Sequence, residues 1–218
     1  MLRKVQAIRT VGVVTTCFNE QEFIGETIQS IYDQTREANQ AVVVNDGSTD
    51  GSLKVLENYD IRHISIVNRG MAGARNAGWA CLTTDWIVFI DGDDLLATNY
   101  LSECMRHTAG VDAVVSAMEG EGLPGKLHPT VEDMWETSWL YACFMVRRRV
   151  LEEMGGFHHT FLGDYDWGFW MDFIQRGYKV AYAPETSYTY RRHGRQHSQT
   201  LIAAERPGNI REMKRLFG

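Results

Sequence analysis

Four short β-type runs separated by helix-patterned stretches occupy the first half of the chain, and this alternation restricts it to an α/β fold. Val11–Thr16, Ala41–Val44, Ile61–Val67 and Trp86–Ile90 read as strands. Between them, Glu20–Asp33 puts Phe23, Ile24, Thr27, Ile28 and Ile31 on one helical face. Asp50 is placed to cap a helix carrying Leu53, Val55 and Leu56, and Met71–Leu82 is a helix of small residues. Strand and helix alternating at this spacing predict βαβ units and a mainly parallel central sheet. Runs apolar on both faces need helices on both sides of that sheet, giving three layers.

The second half is less regular. A helix over Thr98–His107 and a strand over Ala113–Ala117 are followed by the loop-like Glu119–Pro129. Leu140–Val146 reads as a strand and Arg147–Met154 as a short helix stopped by Gly155 and Gly156. Asp164–Arg176 is a helix with Trp167, Trp170, Met171 and Ile174 on one side, ended at Gly177. Tyr178–Ala183 and Ser187–Tyr190 read as two further strands. With 218 residues and 44% apolar content the chain can fill one core, which predicts a single domain over residues 1–218.

Bulk properties remove several function classes. The balance of 22 basic against 28 acidic residues, net −6, argues against a general nucleic-acid binder. The four cysteines form no C-x-x-C pair and no zinc-finger spacing, and they read as reduced thiols. Residues 1–10 hold no signal-peptide apolar run, and no stretch approaches the ~20 apolar residues of a membrane span. The expected location is therefore cytoplasmic, with no stable membrane insertion. In the tail, Ile210, Met213, Leu216 and Phe217 recur at near-helical spacing among Arg211, Lys214 and Arg215. That pattern favours docking on the chain's own domain over lying on an anionic membrane.

Chemistry collects where the strands end. In an open α/β sheet, ligands bind at the carboxyl edge. There the chain places Thr16-Cys17-Phe18-Asn19-Glu20, Asn45-Asp46-Gly47-Ser48-Thr49-Asp50, Asn68-Arg69-Gly70 and Asp91-Gly92-Asp93-Asp94. Three carboxylates within the last four residues repel one another unless a hard cation, Mn2+ or Mg2+, joins them; the alternative is a solvated turn in which Asp94 caps a helix. Asp46 is either a ligand for a nucleotide's base or ribose or part of a plain turn. Arg75 either serves a diphosphate or pairs with one of the aspartates. Asp164 and Asp166 start a helix, where its dipole favours the ionised carboxylate; a simple N-cap is the alternative. Arginines at 147–149 and 191–195 would let the C-terminal half face an anionic donor or acceptor.

Taken together, TTCFNE, NDGSTD, NRGMAGARNAG, IDGDD, GGFHHTFLGDYDW and YRRHGRQHS resemble, in order, the motifs of the family 2 glycosyltransferases, over about Val11 to Ser198. The resemblance implies a GT-A, Rossmann-like three-layer fold. It divides the chain into a nucleotide-sugar-binding half, about 11–110, an acceptor-binding half, about 111–200, and a tail, 201–218. It implies that Thr16, Phe18, Asn19, Glu20, Asp46, Arg75, Asp91, Gly92 and Arg192 surround the donor, with Asp46 at its base and Asp91 at its ribose or the metal's water shell. Asp93, with Asp91 and His193, would hold Mn2+ or Mg2+, and Asp164 matches the general base of inverting members. Thr16 and Cys17 replace the family's usual Pro-Thr, Asn45 its Asp, and Gly163 its Glu.

The implied reaction is a single displacement that inverts the sugar. Asp164 takes the proton of an acceptor hydroxyl, and the metal, Arg75 and Arg192 neutralise the departing nucleoside diphosphate, UDP by resemblance. The acceptor would be a glycan, a lipid-linked sugar or another hydroxyl compound. Two rivals share the fold: an inactive module that binds nucleotide or glycan, and a transferase acting on hydroxylated DNA bases, the one role left for nucleic acid. A nucleotidyltransferase is disfavoured, because Val11–Glu20 has no Gly-rich phosphate loop with a basic residue.

Overall fold

The computed structural model describes residues 9–120, 129–136, 142–160, 164–194 and 209–217. The first half is built as its periodicity predicts: β1 (Val11–Cys17), α1 (Ile24–Tyr32), β2 (Gln40–Asn45), α2 (Ser52–Leu56), β3 (Arg62–Ser65), α3 (Gly70–Ala80) and β4 (Trp86–Asp91). Then follow β5 (Leu95–Leu96), α4 (Tyr100–Arg106), β6 (Ala113–Met118), α5 (Val131–Glu136), β7 (Phe144–Arg147), α6 (Arg148–Met154), α7 (Tyr165–Gln175) and β8 (Val180–Thr189). Residues 209–217 form a C-terminal helix.

The eight strands make one sheet in the order β3-β2-β1-β4-β7-β6-β8-β5. β1 pairs parallel with β2 and β4, β2 with β3, and β6 with β8. β7 and β5 are the antiparallel members. Alternate residues feed opposite faces, as a pleated strand requires. Val14, Val42, Ile87 and Phe89 pack with Phe144, Leu151, Trp170 and Phe173 on one side. On the other side Val13, Trp86 and Val88 meet Tyr100 and Leu101, and Val43 meets Ile24 and Ile28 of α1. These are the three layers of the GT-A fold.

Two expectations are corrected. The strands read as Tyr178–Ala183 and Ser187–Tyr190 are a single β8, in which the pairing jumps from Ser116↔Ala183 to Ala117↔Ser187. The intervening Pro184 cannot donate a ladder hydrogen bond, so the strand bulges there without ending. Asp94 caps no helix: residues 95–96 pair with β8, and Asp94 is buried, accepting the Arg191 backbone N–H at 3.1 Å. The loop read over Glu119–Pro129 and the start of the strand read over Leu140–Val146 lie largely outside the described residues.

Arg147–Arg149 sit where β4 begins, at the opposite end of the sheet from Asp91. Arg147 lies over the Trp86 ring, 4.5 Å from its centroid, and donates to the Val111 carbonyl; Arg149 pairs with Asp112. This basic run closes the amino ends of the strands and does not face an anionic ligand at the carboxyl edge.

The small residues of α3 let it approach the sheet closely. A Cβ on Gly78 would lie 2.3 Å from Val14 Cγ1 and 3.1 Å from Val44 Cγ2. Both contacts are stiff β-branched side chains in the sheet. Gly78→Ala is therefore expected to destabilise the fold by about 2 kcal/mol through overpacking. Urea unfolding measures this, and an unchanged midpoint would mean that α3 has room to lift off the sheet.

Candidate active site at the carboxyl edge of the sheet

The parallel register brings the strand ends together: Thr16 stands beside Asp91, Cys17 beside Asn45, and Asn45 beside Ser65. Asn19 joins the first two loops. It takes the left-handed φ of 59°, which Asn tolerates better than most residues, and its side-chain carbonyl accepts from the backbone N–H of Thr49 (2.8 Å) and Asp50 (3.3 Å). Its own N–H donates to Ser48 Oγ at 3.0 Å, and the next residue's to Ser52 Oγ at 2.8 Å. The Asn19 carbonyl thus shapes the platform and is not offered to a donor. Asp46 is buried at its floor, held by the Arg69 N–H at 2.8 Å, and burial raises its carboxyl above the usual range. Phe18 is half-buried.

Behind this platform Arg75 and Asp91 form a buried ion pair, Nη2 to Oδ1 at 2.6 Å. Thr16 Oγ1 donates to the same oxygen at 3.2 Å, and Arg75 Nη1 to the Ala142 carbonyl at 2.8 Å. The guanidinium is 0% exposed and lies 4.8 Å from the Tyr165 ring centroid. Arg75 is therefore no diphosphate ligand; a cation enclosed under a helix of small residues needs a fixed anion, and Asp91 is that anion. Gly92 is likewise a packing residue. A Cβ there would come within 2.7 Å of the Thr16 carbonyl, and its own carbonyl accepts from Thr27 Oγ1 at 2.8 Å.

In front of the ion pair, Glu20, Asp93 and His193 each turn one ligand atom toward a common point, all within 4.8 Å of one another. His193 Nε2 is 3.0 Å from Asp93 Oδ2, and its ring stacks on Phe23 at 4.2 Å between centroids. Glu20 Oε2 is buried and, among the described residues, has no hydrogen-bond partner. Burial, with Asp93, Asp91 and Asp50 nearby, pushes the Glu20 carboxyl up to about 8. Burial, then the charges of Asp91 and Asp93, push Asp94 up to about 9. Asp93 is raised by burial and Asp91, against the opposing pull of His193.

The arm carrying His193 is clasped by Arg191, which the motif reading passed over in favour of Arg192. Arg191 donates to the Phe23 carbonyl (3.2 Å), to Thr27 Oγ1 (3.1 Å), to the Asp93 carbonyl and to Glu26. Arg192 is exposed. Arg191 and His193, two residues apart, both reach Asp93.

Asp164 takes the N-cap position of α7, yet its side chain caps nothing. It is 3% exposed, and its Oδ2 accepts from Asn209 Nδ2 at 2.9 Å. Asp166 accepts the Trp167 N–H at 2.8 Å, and burial raises its carboxyl to about 6. No short-range pattern points to Asn209, because its partner lies 45 residues earlier.

The mainly parallel sheet, with these acids at its carboxyl edge, matches the GT-A class of glycosyltransferases in known structures and sequences. Solved structures of that class match it. S. aureus TarS 1-349 in complex with UDP-GlcNAc superposes with a TM-score of 0.78 at 19% identity, covering 95% of this chain and 65% of that one. Mannosyltransferase PcManGT from Pyrobaculum calidifontis, in complex with GDP-Man and Mn2+, gives 0.76 at 22% identity, covering 97% and 66%. The family model described as glycosyl transferase family 2 matches residues 12–162, and the chain belongs to that family. An uncharacterized glycosyltransferase of Haemophilus influenzae is 28% identical over 222 residues, 86% of this chain and 67% of that protein. The chain thus spans about two thirds of each of these proteins. Among the described residues no helix is long and apolar enough to cross a membrane.

The raised carboxyls make stability depend on pH. Glu20 moves from 4.5 to about 8 and Asp94 from 3.8 to about 9, so above the lower values the folded chain holds protons that the unfolded chain has released. The stability they carry is present at low pH and lost as pH climbs through 8 to 9. In EDTA the melting temperature should fall from about pH 6 to about pH 9, and Mn2+ should restore more at the higher pH. A metal-free melting temperature that rises over this range would contradict the assignment.

Proposed function

We propose that this chain transfers a sugar from a nucleotide-sugar donor to an acceptor hydroxyl with inversion, using a divalent cation on Glu20, Asp93 and His193. The observation that carries the proposal is the convergence of those three side chains beside the Asp91–Arg75 pair at the carboxyl edge. Two carboxylates and an imidazole suit Mn2+ or Mg2+, and the unpartnered Glu20 Oε2 is the kind of atom a cation satisfies. When bound, the cation supplies positive charge for the leaving diphosphate.

The chain's own residues do the rest. Asp46, at the floor of the platform, is the candidate contact for the nucleotide base. Asp91, immobilised by Arg75 and Thr16, presents a fixed carboxylate edge toward the ribose or the metal's water shell. Arg191 holds the arm that brings His193 to Asp93. Asp164 accepts the proton of the attacking hydroxyl, and one displacement inverts the anomeric carbon. A UDP-sugar is the first donor to test, because TarS was solved with UDP-GlcNAc; GDP-mannose is the second, from the mannosyltransferase complex. The acceptor is a glycan, a lipid-linked sugar or another hydroxyl compound. Neither the DNA-base reading nor the inactive-module reading has support in the site. The basic run 147–149 lies at the opposite end of the sheet, and the carboxylates of Asp91, Asp93 and Asp164 favour turnover over binding alone.

UDP with Mn2+ should raise the melting temperature, Asp93→Ala should abolish that rise, and Glu20→Gln should shrink it. No metal-dependent binding of either UDP or GDP would overturn the proposal. Asp164→Asn should keep donor binding and lower nucleoside diphosphate release by about 100-fold or more. Wild-type turnover in that variant would move the base elsewhere, with Asp166 the next residue to test.

A further inference from the structure

The C-terminal helix does more than cover its own domain. Met213 is fully buried and Phe217 nearly so, in the core cluster that contains Trp170 and Phe173. The Phe217 ring meets His158 edge-on at 5.9 Å, and its carbonyl accepts from Gln175 Nε2 at 3.5 Å. The far end of this helix therefore lies at the far end of α7. Its first residue, Asn209, lies at the head of α7, where it donates to Asp164 with both side chains buried.

We infer that Asn209 is a positioning residue for Asp164, delivered to the site by the C-terminal helix. The inference rests on Asp164 being the base of the proposed reaction. Proton transfer requires a carboxylate lone pair aimed at the incoming hydroxyl, and small misplacements are costly. The N-cap position does not supply that aim, since Asp164 makes no capping bond. An amide N–H on Oδ2 restrains rotation of the carboxylate, and being neutral it places no cation beside the base. The donor is itself rigid, because the helix that carries it is anchored in the core by Met213 and Phe217.

The test compares Asn209→Leu, which keeps the volume and removes the donor, with Asn209→Gln, which keeps an amide. Met213→Ala is the structural control, loosening the helix without touching the carboxylate. Release of UDP from UDP-GlcNAc, or GDP from GDP-mannose, is followed with Mn2+, alongside melting temperature and donor affinity. Asn209→Leu should lower kcat on the order of tenfold with donor KM and affinity unchanged. Asn209→Gln should recover part of the loss, and Met213→Ala should lower the melting temperature more than kcat. On an Asp164→Asn background, Asn209→Leu should cost nothing further. If Asp164→Asn is impaired while Asn209→Leu turns over like wild type, the positioning role is overturned and the base stands. If Asp164→Asn itself turns over like wild type, the base reading falls and this inference falls with it.

Discussion

The buried pair between Arg75 and Asp91 is the interaction on which the site depends. It joins the middle of α3 to the end of β4, and through Ala142 and the Tyr165 ring it reaches the segment before β7 and the first turn of α7. Four elements are indexed to one guanidinium. The next residue on α3, Asn76, extends the same brace by exchanging hydrogen bonds with the Phe157 backbone. Loss of either charge would strand the other inside the core, at a cost of about 3–5 kcal/mol. The pair therefore sets where Asp91 stands at the edge, and its guanidinium lies over the Tyr165 ring at the start of α7.

The edge in front of this pair is built against local stability. Glu20, Asp93 and Asp94 are all pushed above ordinary carboxylate values, by burial first and by neighbouring aspartates, Asp91 among them in each case, second. A fold selected only to persist would not gather them. What holds them is the surrounding framework: Arg191 and the backbone amides on the C-terminal side, the Asn19 turn on the other. A cation held there would relieve this repulsion, and folding and metal binding would then draw on the same residues.

How much of this was legible follows from the range of each signal. Strands and helices of the first half are local, periodic patterns, and the polar segments after each strand needed only the rule that parallel strands share a carboxyl edge. DGDD advertised itself by density of charge. The parts that were misjudged rest on long-range contacts. Arg75 and Gly92 look like ligand-binding residues until the close approach of α3 to the sheet and of residue 92 to β1 is known. Asp94 looks like a helix cap until β5 pairs with β8. Arg191 was hidden because its partners Phe23, Glu26 and Thr27 lie more than 160 residues away, and Asn209 for the same kind of reason. β8 was split because Pro184 breaks a local pattern that the sheet tolerates as a bulge.

The distribution of these long-range contacts divides labour between the two halves. The first half makes a ledge from β1, β2 and β4, paired in parallel and braced from the second half by β7 and Arg191. His193 and Asp164 are both held from the C-terminal side: His193 by an arm clasped to α1 through Arg191, and Asp164 by a helix packed along α7. The two attachments differ in chemistry. The arm is held by polar contacts and one ring stack, the helix by buried apolar side chains. Local opening costs less where few apolar groups are buried. The His193 side should therefore be the more readily opened, and the Asp164 side the more firmly set. On the proposed reaction, that asymmetry would let the His193 side open for a nucleotide while Asp164 stays fixed.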